Sequence, residues 1–274
     1  MRRLTLNNGI SMPRVGLGVW PLTDDQAYTA VSHALECGYR RIDTARVYDN
    51  EEGVGRAVRD AAIPRQEVFL TTKLWNADHG YDAALHAFDA SVRRLGTDYV
   101  DLYLIHWPTP RRDAYVESYR ALERIYAEGR AKAIGVSNFT AATLDRLLAE
   151  TGIVPALNQI ELHPYFPQRA MRTFAAERSM VTEAWSPLAQ GQQLLAEPVL
   201  ARIAEREGKS PAQIVLRWHL QLGNTVVPRS VTPSRIRENL GVYDFALGPQ
   251  DLRDIATLDN GVRIGPDPDT VNHQ

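Results

Sequence analysis

Eight short runs of β-branched or apolar residues, each followed by a longer segment whose apolar residues recur at helical spacing, constrain this chain more than any other feature. The runs fall at 15–19, 41–44, 68–74, 101–106, 133–138, 156–162, 181–186 and 225–229. Between them lie stripes such as Leu85, Phe88, Val92 and Leu95, or Tyr115, Tyr119, Leu122 and Tyr126, each giving a helix one apolar face for packing on a sheet. Parallel neighbours need such crossovers. The runs are apolar nearly throughout, as expected of strands covered on both faces, and eight βα units close a barrel of about 250 residues. The expectation is therefore an α/β protein with a (β/α)8 TIM barrel, in one domain spanning 1–274. Residues before Val15 read as a hairpin turned at Asn8-Gly9 that caps the barrel bottom. The stretches 189–197 and 265–274 read as loops. An open doubly wound sheet would want a G-x-G-x-x-G turn after its first strand, but Gly16-Leu17-Gly18 runs on into Val19-Trp20-Pro21.

The formal net charge of -2 advertises neither nucleic acid nor an anionic membrane as a partner. With 44% hydrophobic and 23% charged residues the chain has the composition of a folded globular protein. Its one cysteine, Cys37, can form no internal disulfide and reads as a small buried hydrophobe. No run approaches the roughly 18 apolar residues that span a bilayer, and Met1-Arg2-Arg3-Leu4-Thr5 breaks off before a signal-peptide core forms. A cytoplasmic protein acting as a monomer on a small molecule is expected.

In such barrels the active site sits at the carboxyl ends of the strands. Strand two ends at Asp43, with Tyr48 five positions on. Strand three ends Thr71-Thr72-Lys73, strand four at His106, strand five at Ser137-Asn138; strand six carries Gln159 and strand eight ends at Arg229. A structural ion pair would account for Asp43 with Lys73, and a satisfied core position for His106. A carboxylate, an ammonium, a phenol and an imidazole at one end of three consecutive strands instead point to a site. Tyr48 can give a proton to a developing alkoxide, and a neighbouring lysine favours its ionised form and would pull its pKa toward the working range. Asp43 would hold Lys73 charged, and a neutral His106 could hydrogen-bond the same carbonyl oxygen. The set contains no nucleophile and no metal cage, because the seven histidines lack ligand spacing and Glu161 with His163 is a weak pair. An acid of this kind suits carbonyl reduction if a cofactor brings hydride. Trp185 offers an aromatic face, while Ser137, Asn138 and Gln159 offer the bonds a carboxamide requires. Arg229 to Arg235 forms a basic, hydroxyl-bearing loop where such barrels bind phosphate. Trp20, Trp75 and Trp107 could line an apolar mouth.

At these residues the sequence resembles the aldo-keto reductase superfamily over nearly its whole length. The resemblance rests on Asp43-Thr44-Ala45-Arg46-Val47-Tyr48-Asp49-Asn50-Glu51, Thr71-Thr72-Lys73-Leu74-Trp75-Asn76 and Asp101-Leu102-Tyr103-Leu104-Ile105-His106-Trp107-Pro108. It continues through Gly135-Val136-Ser137-Asn138-Phe139, Asn158-Gln159-Ile160-Glu161 and Val227-Pro228-Arg229-Ser230. It implies that Asp43, Tyr48, Lys73 and His106 are a catalytic tetrad with Tyr48 as general acid. It also implies NADPH as cofactor: Ser137, Asn138 and Gln159 on the carboxamide, Trp185 stacked on the ring, and Ser186, Pro187, Leu188 and Gln190 along the pyrophosphate. Arg229, Ser230 and Arg235 would then meet the 2′-phosphate, with Glu238 and Asn239 near the adenine. Two departures stand out: Arg229 where the family often has lysine, and Trp185 where it often has tyrosine. The short loop after strand seven and the short tail resemble the bacterial 2,5-diketo-D-gluconate reductase-like branch. Two other classes share such a barrel, a non-catalytic nicotinamide-binding subunit and a metal-dependent barrel isomerase. The intact tetrad disfavours the first, and the missing ligand set disfavours the second.

Overall fold

The computed structural model describes residues 2–272, so Met1, His273 and Gln274, at the two ends of the expected domain and of the expected tail loop, lie outside the described residues. The chain opens with an antiparallel hairpin of β1 (Arg3–Thr5) and β2 (Ser11–Pro13). It turns where expected, at Gly9, whose φ of 86° suits glycine, with Leu6 and Ile10 bonded across the turn. Eight parallel strands follow: β3 (Leu17–Gly18), β4 (Arg41–Asp43), β5 (Phe69–Leu74), β6 (Leu102–Ile105), β7 (Ile134–Ser137), β8 (Leu157–Glu161), β9 (Val181–Trp185) and β10 (Thr225–Val226). Each pairs with its successor. The ring closes by a parallel bridge between Val15 and Val226, reinforced where the Gly16 amide donates to Val226 and the Gly18 amide to Pro228. The two closing strands are shorter than the apolar runs suggested, because Pro228 brings no N–H to the ladder.

The helices are α1 (Asp24–Glu36), α2 (Glu51–Asp60), α3 (Tyr81–Leu95), α4 (Tyr115–Ala127), α5 (Ala141–Glu150), α6 (Arg169–Glu177), α7 (Gln192–Leu195), α8 (Pro198–Glu207), α9 (Pro211–Gln221), α10 (Pro233–Glu238) and α11 (Pro249–Ala256). The stripes read from the sequence face inward: Phe88, Val92 and Leu95 on α3, and Tyr115, Tyr119 and Leu122 on α4, are all buried. Two expectations are corrected. Within 189–197 the chain makes a one-turn helix, α7, and Cys37 is half-buried, its Sγ 3.3 Å from His33 Nε2 at the end of α1. No helix among the described residues is long and apolar enough to cross a membrane.

Because successive side chains of a strand point to opposite faces, alternate residues share the barrel interior. At the hairpin end it is apolar: Leu6 and Met12 pack with Phe69, Leu102, Leu104, Ala133, Ala156 and Leu157, so the hairpin plugs the barrel as expected. Two residues further along β4, β5, β8 and β9 the interior turns polar, with Arg41, Thr71, Gln159 and Glu183 all buried. The outer layer is tight around α2. A Cβ at Gly55 would lie 2.2 Å from the Leu95 carbonyl oxygen at the end of α3. Gly55→Ala must therefore push α2 and α3 apart, and a loss of about 1–3 kcal/mol in urea unfolding is expected, typical of overpacking. An unchanged midpoint would show that the helices are not held this close.

Candidate active site

The polar strand ends converge. Tyr48 lies in a 3-10 turn, Arg46–Tyr48, directly after β4, which brings its hydroxyl back over the barrel mouth. Lys73, on the interior face of β5 and fully buried, donates to Asp43 Oδ1 at 2.6 Å, to the Thr44 carbonyl at 2.9 Å and to the Tyr48 hydroxyl at 3.4 Å. His106, one residue past β6, places Nε2 3.5 Å from the same hydroxyl. Two groups capable of donating thus flank one phenol.

Charge is distributed unevenly over this group. Burial works against the Lys73 ammonium, but Asp43 and then Tyr48 outweigh it and carry its pKa upward, so the lysine stays charged. Burial, then the nearby Lys73 and His79, hold His106 well below the usual histidine range, so its imidazole is neutral. Tyr48 departs from the expectation. Burial raises its pKa, and although Lys73 pulls it down as foreseen, Asp43 pushes it up again and the balance stays above the ordinary phenol value. A phenol held protonated is ready to give its proton.

Gln159 joins the site to the barrel interior. Its Nε2 lies 2.8 Å from Asp43 Oδ2 and 2.8 Å from Glu183 Oε1. Carboxylates only accept, so the amide nitrogen must be the atom between them, and Oε1 is left for a donor from outside. The other carboxamide-binding candidates interlock. The Ser137 hydroxyl donates to the Gln159 carbonyl at 2.8 Å, and Asn138 Nδ2 donates to the His106 carbonyl at 3.0 Å. Trp185 Nε1 donates to Asn138 Oδ1 at 2.7 Å, which fixes the plane of the indole.

Beyond Trp185 the backbone is left-handed at Ser186, Ala189 and Gln190, with φ of 46°, 47° and 59°. Such conformations cost energy in non-glycine residues and gather where a ligand is held. His219 Nε2, 3.1 Å from the Pro187 carbonyl, braces this loop, which continues through Leu188. On the far side, Arg229 and Arg235 are exposed, and neither guanidinium meets a carboxylate among the described residues. Ser230 is buried, its hydroxyl accepting from the Thr232 amide at 3.1 Å. Pro233 stands at the first turn of α10 as the sequence suggested. Asn239 is buried just past α10, whereas Glu238 turns toward α9 and accepts from the Ser210 hydroxyl. An oriented indole, a strained loop and two unpaired guanidiniums form a run of donors suited to a nicotinamide dinucleotide carrying an extra phosphate.

Three tryptophans pack on Tyr48 and His106. Trp20, 57% exposed, lies 5.1 Å from the Tyr48 ring, and Trp75 meets the His106 ring edge-on at 5.3 Å. Trp107 is buried and runs nearly parallel to His106 at 6.5 Å. Sequence reasoning missed what supports them. His79 Nδ1 and the Thr109 hydroxyl, 3.1 Å apart, tie the loop carrying Trp75 to the loop carrying Trp107, and burial pushes the His79 imidazole down to about 4. Glu161 accepts from the Gly265 amide at 2.8 Å and lies 3.0 Å from His163 Nε2, while Gly265 lies so near Trp185 that a Cβ would fall 2.4 Å from the indole. Glu161 and His163 therefore anchor the tail beside Trp185. Among the described residues no three of His, Cys, Asp and Glu converge as metal ligands.

Residues 12–260 match the model of the Aldo/keto reductase family. The chain is 55% identical to an aldo-keto reductase of Mycolicibacterium smegmatis, over 98% of both chains. It is 50% identical to the methylglyoxal reductase DkgA of Escherichia coli, over 97% of this chain and 96% of that one. Among solved structures it is similar to a variant of Gox0644 in complex with NADPH, with a TM-score of 0.95, 46% identity and 98% of each chain covered.

Proposed function

The chain belongs to the aldo/keto reductase family, and on that premise we propose that its one domain, 1–274, reduces aldehyde or ketone carbonyls to alcohols with NADPH, using Tyr48 as general acid. The observation that carries this reading is the Tyr48 hydroxyl set between Lys73 Nζ at 3.4 Å and His106 Nε2 at 3.5 Å, with the Lys73 ammonium paired to Asp43. When bound, NADPH supplies a hydride to the carbonyl carbon. Tyr48 then gives its proton to the carbonyl oxygen as negative charge develops there, and the phenolate left behind faces the Lys73 ammonium. The neutral His106 orients the carbonyl by a hydrogen bond to the same oxygen.

Ser137, Asn138 and Gln159 would hold the carboxamide, with Trp185 against the ring. Ser186, Pro187, Leu188 and Gln190 would follow the pyrophosphate, and Arg229, Ser230 and Arg235 the 2′-phosphate. Asn239 and the backbone beside Glu238 would border the adenine. Trp20, Trp75 and Trp107 give the pocket aromatic walls, with Trp20 at its open side, which suits small carbonyl compounds. The name borne by the Escherichia coli relative makes methylglyoxal-type dicarbonyls the first substrates to try, with keto-sugars beside them. The free Cys37 is in keeping with the cytoplasm.

Cofactor choice gives a test. Charge-assisted contacts are worth about 1.5–3 kcal/mol, so Arg235→Ala should weaken NADPH roughly ten- to a hundredfold. NADH, which lacks the 2′-phosphate, should be nearly unaffected, and salt should weaken NADPH more than NADH. Fluorescence titrations with both cofactors check this. Equal losses for both would remove the NADPH assignment and leave the reductase reading standing.

A further inference from the structure

The interior layer below the site holds two fully buried ions that proton transfer does not touch, Arg41 on β4 and Glu183 on β9. They face each other across the barrel as an ion pair, and both are 0% exposed. Arg41 also donates from Nη1 to the Pro13 carbonyl at 3.3 Å, and Glu183 Oε2 accepts from the Thr225 hydroxyl at 2.9 Å. Glu183 Oε1 accepts from Gln159, Gln159 donates to Asp43, Lys73 donates to Asp43, and Lys73 reaches the Tyr48 hydroxyl. One buried chain of polar contacts thus runs from the plugging hairpin to the phenol. At each end a cation meets a carboxylate, Arg41 on Glu183 and Lys73 on Asp43, and the neutral Gln159 amide lies between the two carboxylates.

We propose that Arg41 and Glu183 are positioning residues for the reaction, a buried counter-charged pair that through Gln159 holds Asp43, and through Asp43 holds Lys73, in register with Tyr48. Neither touches substrate or cofactor. The pair matters because Asp43 has one oxygen for Lys73 and one for Gln159, and Gln159 keeps its amide nitrogen on Asp43 only while its other N–H has an acceptor. Glu183 is that acceptor, and its ion pair with Arg41 holds it in place. The charges facing Tyr48 are Lys73 and Asp43, with the neutral His106 beside them; Arg41 is the charge facing Glu183.

The inference rests on the reading of Tyr48 as the acid, and the test separates the two. In the reduction direction kcat/KM should fall as pH rises through the Tyr48 pKa, and this limb should vanish in Tyr48→Phe. Glu183→Gln leaves the Arg41 charge uncompensated, which favours the phenolate, so the limb should move to lower pH by about half a unit or more. Arg41→Met leaves the Glu183 carboxylate uncompensated, and the limb should move up by a similar amount. The charge-neutral double variant should bring the limb back toward its original place while kcat stays below the parent. A purely architectural pair would lower folding stability and leave the limb still, which would overturn the inference and spare the role of Tyr48. If Glu183→Gln does not fold, Arg41→Met and the double variant decide the matter, since coincident limbs in those two and in the parent are equally fatal. A parent limb that survives in Tyr48→Phe would overturn both readings.

Discussion

Exchanging Tyr48 for phenylalanine should lower kcat on a good aldehyde by about 10²–10⁴, the span that general acids contribute. The substitution removes one oxygen and keeps the ring that packs 5.1 Å from Trp20 and 5.6 Å from His106. The pocket walls should therefore stand, and NADPH affinity should barely move, because none of the residues assigned to the cofactor leans on the phenol hydroxyl. Steady-state kinetics with a parallel cofactor titration would check both halves. A variant that kept most of its turnover would mean that the proton comes from another group, and His106 is a poor candidate because burial and Lys73 hold it neutral.

Lys73→Met should be nearly as damaging, with a loss of up to about 10², and it carries a sign that Tyr48→Phe lacks. The ammonium pulls the Tyr48 pKa down against burial and against Asp43. Without it the phenol becomes a weaker acid. In alcohol oxidation Tyr48 must be ionised, so activity rises as pH passes its pKa, and that rise should move to higher pH in the variant. In reduction the phenol must be protonated, so the fall at high pH should move upward too. Asp43→Asn removes a charge that pushes the Tyr48 pKa up, so with Lys73 still in place both limbs should move the other way, to lower pH, and by less. Profiles of both variants that lie on the parent's would return Asp43 and Lys73 to the status of a structural ion pair.

The barrel was legible because its strands are buried on both faces, so each wrote itself as a run of apolar residues cut by a polar residue at the end. That polar residue then marked the site: Asp43, Lys73, His106 and Ser137 stand where the strands stop and function can replace packing. The hairpin was legible from Asn8-Gly9 for the same local reason, a turn that asks for positive φ. Tertiary balances stayed hidden. The net direction of the Tyr48 shift depends on burial outweighing Lys73, and no spacing reports burial. Glu161 with His163 looked like half a metal site, and only the folded chain shows the carboxylate taking the tail's amides. Glu238 was read toward the adenine, yet its carboxylate serves the N-terminus of α9.

Arg41 and Glu183 did leave a trace. A charged side chain inside an otherwise apolar strand run must find a partner, since burying it alone is costly. The trace was not usable from the sequence, because the partner lies 142 positions away by the numbering, across the barrel from the strand that carries it.

The central claim, that this chain passes hydride from NADPH to a carbonyl and protonates the oxygen from Tyr48, is tested most directly by following NADPH absorbance. The purified chain would be mixed with a panel of glyoxals, keto-sugars and aromatic aldehydes, and the alcohol formed would be counted. The account predicts consumption of NADPH matched one for one by alcohol with at least one of these carbonyls, and its near disappearance in Tyr48→Phe while NADPH still binds. Tight binding of NADPH with no consumption by any carbonyl would contradict it, and would make the protein a nicotinamide-binding partner of some other molecule.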